Sequence, residues 1–463
     1  MSQNQDSGKE ASYEWWQLSL IGVGCIIGTG FFLGSGIAIK MTGPSVVLSF
    51  LLAACGTYIV YEALAKMSAK DPQKGSFRTY AKQAFGRWAG FSSGWAYWCS
   101  EMLIIGSQLT AISLLAKFWF PDVPLWIFAS GFAICGLLVL FIGTKGFGKL
   151  ESIFAVTKVA AIFMFIVVAI VALTGIIEGD KNSGFPGSLA EVFPNGALGF
   201  WSSLLFAFYA FGGIEVMSIM AVHLKNKEDA PKAGKVMISL LVAIYIAAIS
   251  LVLYLLPWNS VKDDKSPFVT ALDSYNLDFF PHVFIGAIII AGFSTMSASL
   301  FSVTTILLTL SEEGDAPSLF SKQMKWKLAV PLPAVGLTAV VLIMSIVASR
   351  LLPSNVYEYV TTAAGLMILY NWLFILAMSH RIFEPTKADK VKRMIAFILL
   401  MVALSGTLAS STSRPGFFIS LGFLSIIAVV VYFLQKRWKK EEGLSPKTSV
   451  QAPLAQSKGQ TES

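Results

Sequence analysis

Runs of about twenty apolar residues recur along the whole chain, separated by short polar stretches, and each run is long enough for a helix to cross a bilayer's hydrocarbon layer. Twelve such runs begin near Trp16, Pro44, Trp88, Pro124, Glu151, Leu198, Ala233, Pro281, Pro331, Val356, Met394 and Phe417. The pattern predicts an all-α polytopic membrane protein with twelve transmembrane helices. One membrane domain is expected over residues 14–435, between a polar tail at 1–13 and a second tail at 436–463 whose composition predicts disorder. An even number of crossings places both tails on one side of the membrane. The polar stretch EGDKNSGFPGSLAEVFPNG then falls on the other.

Composition strengthens this reading. The 463 residues are 55% hydrophobic and 13% charged, with mean hydropathy +0.68, which excludes an ordinary soluble domain. Most of the 35 Lys and Arg residues fall in loops on the tail side, as in Lys66 to Arg87 and in QKRWKKEE. The positive-inside rule therefore puts both termini in the cytoplasm. It also accounts for the net charge of +8 without any nucleic acid partner; the lipid bilayer is the expected surroundings, and extra binding of anionic lipid is left open. MSQNQDSGKEAS lacks the basic start and small-residue cleavage site of a secretory signal. Without organelle signals, the plasma membrane of a bacterium is the expected location.

Cys25, Cys55, Cys99 and Cys135 lie in apolar runs without a paired spacing and read as small hydrophobes. His223, His282 and His380 fall at predicted span ends, so no metal site is expected. A membrane-embedded enzyme would need a nucleophile–base pair or a metal, and neither is visible.

The first run contains GCIIGTGFFLGSG, with five glycines where a membrane helix should be stiffest. Close helix packing is one use, since Gly24 with Gly28 and Gly30 with Gly34 have the small-residue spacing that lets backbones touch. Unwinding is the other. A break over Ile27 to Gly30 would expose N–H groups at the start of an outer half-helix beginning near Phe31, and those donors suit a carboxylate. FAFYAFGGIE, in the sixth run, carries a Gly-Gly pair and an acid in mid-span. A break from Tyr209 to Gly213 would expose carbonyls suited to an ammonium group. Together the two breaks describe a receptor for an α-amino acid, and their positions suggest that spans one to five and six to ten are inverted copies.

GCIIGTGFFLGSG resembles the first-helix motif of the amino acid–polyamine–organocation superfamily. GSFRTYA, GWAYW, KFWFPDVP, FGKLESIFAVTK, FAFYAFGGIE, LPW, SPFV and SEEGDAP resemble, in order, signature segments of its bacterial amino acid permease branch. The resemblance runs over roughly residues 14 to 435. It implies a LeuT-like fold with a five-plus-five inverted repeat, broken first and sixth helices, and transport by alternating access. It makes the amides of Gly28, Thr29 and Gly30, next to Ile27, the carboxylate site. The carbonyls of Tyr209, Ala210 and Gly212 become the ammonium site, Tyr209 and Phe211 candidates for an aromatic lid, and Glu215 a residue that either couples gating to protonation or holds the structure.

Lys158 is the basic residue that the span assignment leaves inside the membrane, in SIFAVTKVAAIFMFIVV. A charge there costs roughly 2.5–3.5 kcal/mol on insertion scales, so the amine needs a partner or must snorkel to the cytoplasmic surface. The resemblance places it where sodium sits in sodium-coupled relatives, bridging the first and eighth spans, with Ser302 a candidate partner. That implies protons as the coupling ion and no other cofactor.

Glu101 and Gln108 share a face of the third span. An intramembrane glutamate is a functional candidate by default, and the match at GWAYW places Glu101 at the substrate cavity. Two positions depart from the branch: Gln108 stands where many relatives have glutamate, and Thr304-Thr305 where many have serine-arginine. If that acid and base normally pair, the double change leaves no orphan charge. In the eighth span Ser297 and Ser299 are further substrate candidates, although such hydroxyls commonly bond back to their own helix.

The expected function is import of a small neutral L-amino acid (threonine, serine, alanine or a branched-chain residue) by proton symport. An amino acid exchanger, a permease for polar or cationic amino acids, and a channel or binding sensor on the same fold are the alternatives. Oligomeric state is left open.

Overall fold

The computed structural model describes residues 13–71, 76–177, 187–221, 224–262, 265–273, 275, 277–321, 331–351 and 356–444. Among these, twelve helical segments run in the order expected. Span 1 comprises Trp15–Ile26, Thr29–Phe32 and Gly34–Thr42; span 2 is Val46–Lys70, span 3 Arg87–Ala116, span 4 Leu125–Leu140 and span 5 Gly143–Thr174. Span 6 is split into Gly196–Tyr209 and Ile214–Met220, and span 7 is Ala230–Leu255. Spans 8 to 12 are Phe279–Glu312, Leu332–Leu351, Val356–Ile382, Lys387–Gly406 and Arg414–Leu444. Short helices Ser76–Phe85 and Pro267–Thr270 lie at opposite ends of the bundle.

Side-chain polarity sorts these helices into centre and rim. Val156, Phe163, Ile343, Met344, Ile426 and Phe433 project large apolar groups away from the protein. In water such a belt would drive aggregation; in hydrocarbon it is solvated, while helices satisfy their own backbone groups. Spans 1, 3, 6, 8 and 10 form the centre. Small residues let them approach: the ring of Tyr209 lies against Gly30, and Ile112 and Thr29 against Gly292.

Both expected breaks are present. Span 1 leaves helical geometry at Ile27 and Gly28, and its outer half begins at Thr29, two residues before the expected Phe31, because Gly28 is extended and its carbonyl accepts from the Phe31 and Phe32 amides. Span 6 breaks over Ala210 to Gly213. Gly213 has φ +111°, a left-handed conformation that a side chain would strain.

The chain's last helix differs from expectation. It continues to Leu444, past residue 435, because Trp438 is buried beside Phe91 and carries the Arg87 guanidinium over its ring. Residues 445–463 and His223 lie outside the described residues, as does 178–186 of the polar stretch between spans 5 and 6.

Candidate functional site

The two breaks face one another across a cavity of about 80 Å³. Gly28 and Gly30 reach it from span 1, Tyr209 and Gly212 from span 6, and Glu101 and Gln108 from span 3. Thr295, Ser299 and Ser302 close it from span 8. At roughly 10–15 Å³ per water by this measure, the space holds a few waters or a small solute.

Its far-side roof is polar. Gln108 Oε1 accepts from Thr29 Oγ1 at 2.5 Å and from the Thr29 amide at 3.4 Å, while Tyr357 Oη donates to the Thr29 carbonyl at 3.3 Å. Thus the carboxamide of Gln108 stands at the start of the outer half-helix, where helix-end donors favour negative charge. On the tail side, Tyr97 Oη and Ser302 Oγ are hydrogen-bonded at 3.0 Å, and the Phe77 ring packs under Tyr97 with centroids 4.9 Å apart. Roof and floor bound the cavity on these two sides, while lining residues such as Cys25, Gly212 and Thr295 keep partial exposure.

Glu101 is 7% exposed and lines the cavity together with Ser299 and Tyr97. Glu215 also lines the cavity, receiving hydrogen bonds from the Gly213 amide at 3.2 Å and from the Trp372 indole. These donors tie the acid to the bend that Gly213 creates, so Glu215 has a structural task whatever else it does.

Lys158 is 0% exposed and does not snorkel. Its Nζ donates to the Gly24 carbonyl at 3.1 Å, and lies 3.5 Å from Thr295 Oγ1 and 3.4 Å from Glu151 Oε1. It therefore contacts both span 1, through Gly24, and span 8, through Thr295. Ser302, the expected partner, lies two turns beyond Thr295 and bonds Tyr97 instead. The approach depends on Gly24, where an added Cβ would stand 2.6 Å from that of Ala155. Gly24→Ala should thus separate spans 1 and 5 and cost about 1–3 kcal/mol of overpacking. Thermal unfolding of the purified variant checks this, and an unchanged midpoint would show that the contact relaxes freely.

Other sequence-named residues fall elsewhere. Ile27 is fully buried in the apolar core, whereas its neighbours Cys25 and Ile26 line the cavity. Phe211 packs against Phe50 and Tyr245 and is not a lid over the cavity, because the turn after Tyr209 directs its ring to the opposite side. The Ala210 carbonyl already accepts from Tyr245 Oη at 3.1 Å, and that of Tyr209 from the Gly212 amide at 3.0 Å. Ser297 is buried away from the cavity, two positions before Ser299 and so on another helix face. The two departures from the branch do not meet: Thr304 bonds back to its own helix three turns from Gly292, the span 8 residue level with Gln108, and Thr305 is exposed.

Two signature segments meet at the tail-side end. Arg78, from GSFRTYA, forms a two-pronged pair with Glu313 at 2.8 and 3.0 Å and reaches Asp315 at 2.8 Å, both from SEEGDAP. Arg87 Nε adds a 3.2 Å bond to Asp315, and the Trp95 indole donates to the Asp315 carbonyl at 3.1 Å. This network pins the Ser76–Phe85 helix, which carries Phe77, across the cavity's floor.

Comparison with known proteins places the chain among bacterial transporters. The chain is 56% identical over 442 residues to the uncharacterized transporter YcgH of Bacillus subtilis (strain 168), covering 94% of this chain and 98% of that protein. It is 28% identical to the gamma-aminobutyric acid permease of the same organism, over 96% of this chain and 97% of the relative. The aromatic amino acid transport protein AroP of Escherichia coli (strain K12) is 27% identical, over 89% and 92%. By their names these relatives are bacterial transporters, and the chain itself has the LeuT-like fold of twelve helices with two central breaks. The model of one family, amino acid permease, matches residues 17–442, and with that span matched the chain belongs to the amino acid permease family.

Proposed function

We propose that the protein imports a small neutral L-amino acid by proton symport and alternating access, across the plasma membrane of a bacterium with both tails in the cytoplasm. The observation that carries the reading is the cavity between two helix breaks, with the Lys158 amine bridging spans 1 and 8 beside it. The substrate carboxylate takes the amides from Gly28 to Gly30, displacing the Gln108 oxygen that stands there. Because the Tyr209 and Ala210 carbonyls each already hold one donor, the ammonium group turns to Gly212 and to Glu101 with Ser299. An ionised carboxylate hydrogen bond is worth about 1.5–3 kcal/mol, more than a neutral one. Small volume and the absence of a bulky aromatic at Ser299 favour threonine, serine, alanine or a branched-chain residue.

Uptake of labelled threonine into sodium-free proteoliposomes under an acid-outside gradient tests the proposal, with the other amino acids as unlabelled competitors. Accumulation that an uncoupler collapses is the expected result. Uptake that needs preloaded amino acid would instead identify an exchanger, and binding without transport a sensor. Glu101→Gln should raise the half-saturating concentration about tenfold, equivalent to about 1.4 kcal/mol. Unchanged affinity and ranking would make Glu101 structural.

A second reading has one observation in its favour. Two acids, Glu101 and Glu215, line the same cavity, which suits a substrate whose amine is its dominant feature. In that case polar or cationic amino acids, and γ-amino acids such as the one named for the Bacillus subtilis relative, would win the competition assay.

A further inference from the structure

A buried amine that carries a coupling proton needs a route by which that proton leaves. Lys158 has no surface of its own, so water does not reach it in this conformation. Among the described residues, one ionisable group touches it on the tail side. Glu151 precedes it by seven residues on span 5, two helical turns or about 10 Å nearer the tail-side surface, and its carboxylate side chain is 14% exposed. Its two oxygens are differently engaged: Oε1 lies 3.4 Å from the Lys158 amine, and Oε2 accepts from Ser294 Oγ at 2.7 Å. Ser294 adjoins Thr295, which lies against the amine itself. Span 8 thus touches both members of the pair, and its movement changes both contacts together.

We propose that Glu151 is the coupling acid that relays the Lys158 proton to the cytoplasmic side. The inference rests on the symport reading above. When the pair discharges, one N–H bond of the ammonium breaks, its electron pair stays on nitrogen, and the proton forms an O–H bond on Glu151 Oε1. Ammonium and carboxylate become amine and acid with no change in net charge, so the step creates no isolated charge in the membrane. The acid then gives its proton to water at its exposed edge, leaving a carboxylate that its partial hydration and the Ser294 hydroxyl stabilise. Having lost its charge, the amine holds the Gly24 carbonyl more weakly, and the inner half of span 1 is released to open toward the cytoplasm. At 3.4 Å the pair is longer than a charge-assisted hydrogen bond of about 2.7–2.9 Å, so it must tighten, or admit a water, before the proton moves.

Among the described residues, few titratable groups face this pair; Lys232 and Lys235 on span 7 are exposed. From span 1 the Cys25 thiol faces both groups. Span 8 contributes the hydroxyls of Ser294 and Thr295, and its His282 lies at the opposite end, bonded to Trp119. From span 7, Tyr245 turns instead to the Ala210 carbonyl, and Cys135 on span 4 is exposed away from the bundle. Across the cavity that Thr295 lines, Glu101 and Glu215 are the remaining acids.

Glu151→Gln and Glu151→Asp, reconstituted in proteoliposomes beside the wild type, test the relay. Two modes are compared: labelled threonine counterflow without a gradient, and accumulation under an acid-outside gradient with an internal pH dye reporting substrate-driven proton entry. Glu151→Gln leaves the buried Lys158 ammonium without its counter-ion and so lowers the melting midpoint, but in the protein that remains folded counterflow is expected within about twofold of wild type while accumulation falls at least tenfold and the dye signal disappears. Glu151→Asp keeps the charge and so the fold, and should recover part of both losses. Accumulation and dye signal equal to wild type in the glutamine variant would overturn the proposal. So would loss of counterflow, accumulation and thermal stability together in both variants, which would mark Glu151 as a structural counter-ion. Wild-type counterflow without gradient-driven accumulation would overturn the symport reading, and the relay with it. Wild-type accumulation with an unaltered glutamine variant would remove the relay alone.

Discussion

Lys158→Ala is expected to abolish gradient-driven accumulation, lowering it by at least a hundredfold in proteoliposomes, and to destabilise the protein as well. Both effects follow from what the amine touches. It is the donor to the Gly24 carbonyl, beside the break in span 1, and the positive partner of Glu151. Removing one member of a buried ion pair strands the other, a penalty of about 3–5 kcal/mol where the site is dry. At 14% exposure Glu151 retains some hydration, so the lower end of that range is expected. The double variant Lys158→Ala with Glu151→Ala separates the two effects, because it removes both charges. Its melting midpoint should recover toward wild type while accumulation stays absent. Wild-type accumulation in Lys158→Ala would show that coupling resides elsewhere in the cavity, with Glu101 the next group to test.

Arg78→Ala should give the largest loss of stability of any single substitution considered, about 3–5 kcal/mol. Arg78 is 3% exposed, and it is shared between Glu313 and the almost fully buried Asp315. Without it two carboxylates face each other across the gap, with Arg87 and, at 3.8 Å, Lys82 as the remaining cations. A lysine cannot reproduce the two-pronged geometry on Glu313, so Arg78→Lys should recover only part of the loss. Thermal unfolding in detergent measures both variants. A melting midpoint within error of wild type in Arg78→Ala would mean that Arg87 and Lys82 satisfy both acids unaided. Function should suffer separately, since Arg78 holds the helix that carries Phe77 beneath the Tyr97–Ser302 floor.

Much of this architecture is legible without coordinates because a bilayer imposes its rules residue by residue. Any segment crossing hydrocarbon must be apolar over about twenty residues and must satisfy its own backbone. The twelve runs, the glycine-weakened first and sixth spans, and the exceptional Lys158 therefore all register in the linear pattern. Gly213 holds the left-handed turn that glycine favours, and Gly28 leaves room for Thr295 to approach the first break. Glu101, an acid in mid-span, is likewise conspicuous wherever it points.

What the linear pattern does not carry is which side chains share a point in space. Phe211 follows Tyr209 and Ala210 in sequence, yet a turn of four residues sends its ring into the core while Tyr209 faces the cavity. Ser302 and Thr295 are both hydroxyl residues on one helix, and only the depth at which span 5 crosses span 8 selects Thr295 for the amine. Glu151 reads as a charge at the edge of an apolar run, and becomes a partner of Lys158 because the helix turns it inward beside Ser294. Arg78 and Asp315 lie 237 residues apart and meet only when the ends of spans 2 and 8 converge. By itself, the sequence determined the membrane setting, the helix count and the two weak points, since these depend on the local cost of putting each residue in hydrocarbon. Tertiary structure decided the roof at Gln108, the floor at Tyr97 and the partners of every buried charge, because pairing depends on helix rotation and depth, which are set by packing among spans distant in the chain.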